Sequence, residues 1–251
     1  VECEILKTLI AAFQFLSSFP IKTDEEVRPE VLGKSVAFFP FVGLVFGLIL
    51  TLSNWILLYV FPKLVADVFL IIILTSLDGG MHLDGFIDTC DGLLGGRGDK
   101  NRILRIMKDS NVGAHGITCA TSLFLLKFTL LYSLSGKLKV LVLMAMPTLA
   151  RWAVSLAIVF FPYARNEGTG KVFSDHSGIK EFVVATIIAL LTSFWSFFSM
   201  VAFAGVFMIS LIAGRYFSSK IGGLTGDIYG ALVKVNEIVV LMVFLVGGRL
   251  W

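Results

Sequence analysis

Charge is scarce in this sequence: Asp, Glu, Lys and Arg together make up 16% of 251 residues, while 57% are hydrophobic. A water-soluble domain carries about a quarter charged residues, so a soluble fold is a poor first reading. A strong net charge is missing too. The formal charge of +3 at pH 7 is too mild for a nucleic-acid binder, and the basic residues gather in loops, where they set membrane orientation. Cysteine is sparse: Cys3, Cys90 and Cys119 make no CxxC pair and no disulfide framework, so they read as reduced and structural. The stretch through Phe19 carries Glu2, Glu4 and Lys7 and lacks the basic start, apolar core and cleavage site of a secretory leader. It is expected to belong to the mature chain.

Long apolar runs are what the sequence has in abundance. Ile5, Leu6, Leu9, Ile10, Phe13, Leu16 and Phe19 recur at helical spacing with polar residues off the stripe, which predicts an interfacial helix ended by Pro20. A charged connector from Lys22 to Lys34 follows. Val36 to Phe61 is uncharged and long enough for a bilayer core of about 30 Å. Further spans are predicted over Leu64 to Leu77, with Asp67 as a helix-end residue, and over Ile117 to Ser135 and Val140 to Phe161, interrupted by Lys127 and Arg151. Phe182 to Gly214 as one helix would run to about 50 Å, so it is split near Ser196 to Met200. A polar segment, Ser218 to Lys234, leads to a last span, Ile238 to Trp251. The expectation is one all-α, polytopic integral membrane domain over residues 1–251, with about seven transmembrane helices plus the interfacial helix. That topology puts the N-terminus and the long polar segments on one face, rich in Lys and Arg and therefore cytoplasmic. Residues 78–113 form the main catalytic loop and helix of that face.

The sharpest chemical signal is His82-Leu83-Asp84-Gly85-Phe86-Ile87-Asp88-Thr89-Cys90-Asp91-Gly92. Asp84, Asp88 and Asp91 stand at i, i+4 and i+7, which places them on one helix face. Carboxylates so crowded repel one another unless a cation joins them, and their hard oxygens favour magnesium or manganese over zinc. The competing view is a solvated acidic face. Arg102, Arg105 and Lys108 follow at helical spacing and suit phosphate, and the run from Lys108 and Asp109 to Gly116 offers backbone amides to an anion. A third group is Gly222-Gly223-Leu224-Thr225-Gly226-Asp227 with Gly230 and Glu237. Asp227 and Glu237 lie just before or inside an apolar run, where an ionisable group is by default a functional candidate, although such glycines also serve plain helix packing. Arg151 suits a phosphate or a buried acid, and Lys127 suits either function or snorkelling. His82 is a proton carrier or a hydrogen-bond partner of the acids.

Taken with Phe15-Leu16 to Pro20, Gly79 to Met81, Ile106 to Ser110, and Tyr163-Ala164-Arg165 with Gly168, these motifs resemble the cobalamin synthase family of adenosylcobinamide-GDP ribazoletransferases almost end to end. The resemblance implies a magnesium-dependent, multi-pass enzyme of the bacterial inner membrane, with its active site on the cytoplasmic side. It implies joining of adenosylcobinamide-GDP to α-ribazole or its 5′-phosphate with release of GMP, in contact with the bilayer and without nucleic acid. The oligomeric state stays open. On that footing Asp84, Asp88 and Asp91 are expected to hold Mg2+. Arg102, Lys108, Asp109, Arg151 and Arg165 are expected to face substrate, and Asp227, Glu237 or His82 to serve as base. A CDP-alcohol phosphotransferase and a cation transporter are the rival classes. The first would carry a DG-xx-AR element with wider aspartate spacing, and the second repeats with mid-span acids; neither is found.

Overall fold

The computed structural model describes residues 2–21 and 27–250. The connector expected from Lys22 falls partly outside them, as do the side chain of Cys3 and all of Trp251. Among the described residues every regular element is helical, as the apolar periodicity requires. α1 (Glu2–Leu16) and α2 (Pro29–Ser35) precede a short 3₁₀ turn, Val36–Phe38, that runs into α3 (Phe39–Val60). Phe61 and Pro62 end α3, and α4 (Lys63–Leu77) returns. After it come α5 (Met81–Gly95), α6 (Lys100–Ile106), α7 (Ala114–Ser133), α8 (Gly136–Phe160), α9 (Thr169–His176), α10 (Ile179–Ser193), α11 (Phe197–Ile221) and α12 (Gly226–Leu250).

Among the described residues five helical stretches are long and apolar enough to cross a bilayer, and up to seven if each of two sharply bent pairs counts as one span. Those pairs are α4 with α5, bent by 89°, and α9 with α10, bent by 99°. At 1.5 Å per residue the 15-residue α4 and α10 reach only about 22 Å, short of a bilayer core of about 30 Å. The expected division of 182–214 is present, at Phe194–Ser196, where α10 stops and α11 begins. Exposed aromatics crowd the face opposite the polar segments: Trp195 and Phe194 at that turn, Trp55 and Tyr59 near the end of α3. This is the placement an aromatic belt would have.

α8 is the hub, with 89% of its apolar stretch buried. α3 lies against it through Gly43 and Gly47, whose absent β-carbons would sit 2.3 Å from the Pro147 carbonyl and 2.8 Å from the Met144 backbone. Small residues one turn apart let backbones approach when both helices stand in lipid and hydrophobic burial offers little preference.

Two expectations are corrected. The polar segment Ser218 to Lys234 is not a loop: α11 continues to Ile221, positive φ at Gly222 and Gly223 turns the chain, and α12 begins at Gly226 instead of Ile238. Thr225 Oγ1 accepts the Ile228 N–H at 3.3 Å and caps the new helix. Lys234, the last residue of the expected polar segment, and Asn236 beyond it are buried inside the helix bundle. Asp67 is likewise no helix-end residue; it is fully buried and paired with Lys139 and, at 3.3 Å, Lys63.

Candidate active site

α5 lies across the N-terminal ends of α7 and α12, outside the spanning segments, because glycines let it settle there. A β-carbon on Gly85 would fall 2.7 Å from the Asp227 carbonyl, and one on Gly230 would fall 3.0 Å from the His82 carbonyl. At its other end Asp91 accepts the N–H groups of Gly113 and Gly116, both at 2.8 Å. Asp91, expected in the metal set, thus accepts one N–H on each oxygen from the start of α7, where an anion complements the helix dipole. The crossing at Gly85 brings Asp227 to the Asp84–Asp88 pair as well.

The electrostatics of that group are lopsided. Partial burial, then Asp84, Asp227 and Asp91, push the Asp88 carboxyl up to about 7, against the opposing pull of Arg165. Arg165 is held by a pair with Asp227 at 2.8 Å. Its own position is fixed by the turn between Pro162 and Ala164, which exchanges backbone hydrogen bonds of 2.7 and 2.8 Å with Leu224. A shortage of positive charge among hard oxygen donors suits a divalent cation. Among the described residues no three His, Cys, Asp or Glu side chains already converge to ligating distance. The fit is therefore one of charge and donor type, with side chains still to close.

Asp84, Asp227 and Arg165 stand on a cavity of about 680 Å³. His82, Asp84, Asp227, Lys108 and Arg165 line it, together with Phe15, Tyr163, Tyr229 and the segment Asn166–Gly170. Of the expected substrate contacts, Lys108 and Arg165 are on the wall. Arg102 is exposed in the first turn of α6, whose N-terminus Asp99 caps at 2.7 Å, and does not line the cavity. Asp109 is exposed as well; its carboxylate takes the Asn111 backbone at 3.0 Å and amide at 2.7 Å, which holds its pKa down.

Glu237 and Arg151 are elsewhere. Beneath the cavity a buried ionic network ties four helices and the end of α4 together. Asp78 binds His82 Nδ1 at 2.9 Å and Lys234 at 3.0 Å, with Arg151 at 3.6 Å. Glu237 pairs with Lys127 and faces Arg151 and Lys234, both at 3.9 Å. All are buried. Arg151 also donates to the Pro147 carbonyl at 3.2 Å and sits 4.5 Å over the Phe46 ring. Neither Glu237 nor Arg151 reaches the cavity wall. Asp78 and Lys234 escaped sequence reasoning, although an acid closing an apolar helix and a lysine one turn before Glu237 were the available signals. Tyr229 escaped it too, since a tyrosine in an apolar helix has no pattern of its own.

A family model described as cobalamin-5-phosphate synthase matches residues 8–245. Three relatives bear the name adenosylcobinamide-GDP ribazoletransferase. The Geotalea daltonii protein is 36% identical over 249 residues, covering 98% of this chain and 100% of its own. The Acinetobacter baumannii protein is 36% identical over 237 residues, 94% and 95% of the two chains. The Desulfitobacterium hafniense protein is 36% identical over 244 residues, 94% and 96%. No solved structure matches the chain.

Proposed function

The chain belongs to the cobalamin-5-phosphate synthase family, and from that premise we propose that it is an adenosylcobinamide-GDP ribazoletransferase. It would act at the cytoplasmic face of a bacterial inner membrane and accept α-ribazole or its 5′-phosphate. The observation that carries this reading is the meeting of Asp84 and Asp227 with Arg165 and Lys108 on one cavity at a membrane face, with Asp88 near enough to both aspartates for them to push its carboxyl up. The ribazole hydroxyl attacks the phosphorus on the cobinamide side, the bond to the GMP oxygen breaks, and the hydroxyl proton passes to a base. For an already anionic phosphate the barrier falls mainly through positioning and charge neutralisation.

Asp84, Asp88 and Asp227 would hold Mg2+, which when bound offsets charge on the phosphoryl oxygens. Arg165 is kept by Asp227 where it can grip a phosphate with the remainder of its donor fork, and Lys108 adds a second cation. His82 is the better-placed base than Glu237, because it lines the cavity and Asp78 fixes its Nδ1. An ionised Asp78, held by Lys234, accepts from Nδ1–H and leaves Nε2 as the acceptor. A cavity of about 680 Å³ is the size that accepts a drug-sized ligand. It takes the diphosphate and a nucleoside, while the much larger corrin stays at the mouth.

Purified protein in detergent should release GMP from adenosylcobinamide-GDP only when α-ribazole or its phosphate is present, with a corrin product of matching stoichiometry. GMP release that ignores the ribazole would point to a hydrolase, and none under any divalent metal would return the transporter to consideration.

A further inference from the structure

The phosphate chemistry leaves the aromatic part of the cavity wall unused. Phe15, Tyr163 and Tyr229 all stand there, with the two tyrosine rings 6.2 Å apart and tilted by 37°. Tyr229 is 6% exposed, and its hydroxyl is shut off from solvent with no hydrogen-bond partner among the described residues. The Tyr163 hydroxyl, by contrast, faces the backbone N–H of Gly226. A buried tyrosine hydroxyl normally finds a partner, because leaving it unpaired forfeits the hydrogen bonds that water supplied. Here the unpaired hydroxyl belongs to a residue that lines a cavity, so a ligand that draws it out of its buried position can complete it. Space for a ligand exists on the same turn of α12: a β-carbon on Gly226, itself part of the wall, would meet nothing within 4 Å.

Resting on the transferase reading, we propose that Tyr229, with Tyr163 and Phe15 beside it, forms a subsite for a flat nitrogen-containing aromatic ring, its hydroxyl donating to an acceptor on the ring edge. Aromatic walls favour a flat partner through face and edge contacts, and one directed hydroxyl fixes its orientation. Two substrates of the proposed reaction carry such a ring: the benzimidazole of α-ribazole and the guanine of the GDP half. A site built to hydrogen-bond a substrate discriminates by leaving its own polar group unpaired when the wrong ring enters, so Tyr229 sets specificity.

Steady-state GMP release by Tyr229→Phe, with one substrate varied at a time, tests this. Loss of the single hydrogen bond should raise one KM about tenfold while kcat stays within about twofold and the melting temperature is unchanged. A rise confined to α-ribazole places the benzimidazole against Tyr229, and a rise confined to adenosylcobinamide-GDP places the guanine there; either supports the subsite. Wild-type turnover with both KM values unaltered in Tyr229→Phe overturns the subsite and leaves the transferase reading standing. Equilibrium binding of α-ribazole and of GMP to the same proteins separates the two ideas when turnover is absent: weakening of one ligand by Tyr229→Phe supports the subsite, and unchanged binding of both overturns it. If Tyr229→Phe fails to fold, Gly226→Ala, which narrows the open space, is expected to raise the same KM.

Discussion

Asp88 shows what crowding by other acids does to a partly buried carboxyl. Its pKa, raised to about 7, means that the ionised form is disfavoured in the folded, metal-free protein relative to the unfolded chain. The sign follows: this contribution is fully present only below the unfolded carboxyl's pKa of about 4, is lost progressively as pH rises from there, and is gone once pH passes through about 7. Metal-free protein should therefore melt lower at pH 8 than at pH 6, Asp88→Asn should remove much of that slope, and Mg2+ should restore stability at pH 8 in the wild type alone. Thermal scans at the two pH values with chelator and with Mg2+ check this. The ionic network makes a second claim at the same scale. Lys127, Lys234 and Arg151 face only Asp78 and Glu237, so removing one cation balances the charges while removing an anion worsens the excess. Glu237→Gln should cost about 3–5 kcal/mol, the penalty for stranding buried charge. Lys127→Met should cost under about 1.5 kcal/mol, as a near-isosteric swap. Equal losses in denaturant unfolding would contradict the charge count.

Helices depend on features that a residue-by-residue reading does not see. The apolar runs and the i, i+4, i+7 aspartates were legible because spans and helix faces have fixed periods, and the break inside 182–214 was legible because a single helix would overshoot the bilayer. The start of α12 was not: the segment up to Lys234 read as polar, and only the partners that bury Lys234 and Asn236 show them inside a helix of the bundle. The backbone partners of Asp91 were hidden for a related reason, since spacing puts it on the face with Asp84 and Asp88 but cannot show that α7 begins against its carboxylate. Gly43 and Gly47 were likewise silent until α8 stood beside them. Gly43→Leu should force α3 off Pro147 and cost at least about 1–3 kcal/mol, the usual penalty of overpacking. Loss of the monodisperse peak in size-exclusion chromatography or a clear fall in melting temperature is the expected readout.

The whole molecule joins a bilayer-spanning bundle to a charged cavity on one face, and the topology is testable as a unit. With seven spans, the α7–α8 and α10–α11 turns share the face opposite the cavity. In a background with Cys3, Cys90 and Cys119 replaced by Ser, Ser135→Cys and Phe194→Cys should react with a membrane-impermeant maleimide in whole cells, and Ser110→Cys only after lysis. Labelling of Ser110→Cys in intact cells would invert the orientation. Helices, spans and most of the cavity motifs could thus be read from the sequence, whereas the cavity's aromatic wall and buried network needed the assembled bundle. The most direct test of the account is GMP formation as a function of Mg2+ by wild type and by Asp84→Asn, with folding of both verified by melting. The account predicts Mg2+-dependent turnover in the wild type and a loss of at least about a hundredfold in Asp84→Asn, the scale of a lost transition-state electrostatic contact. Full turnover by Asp84→Asn, or wild-type turnover indifferent to chelation, would contradict it.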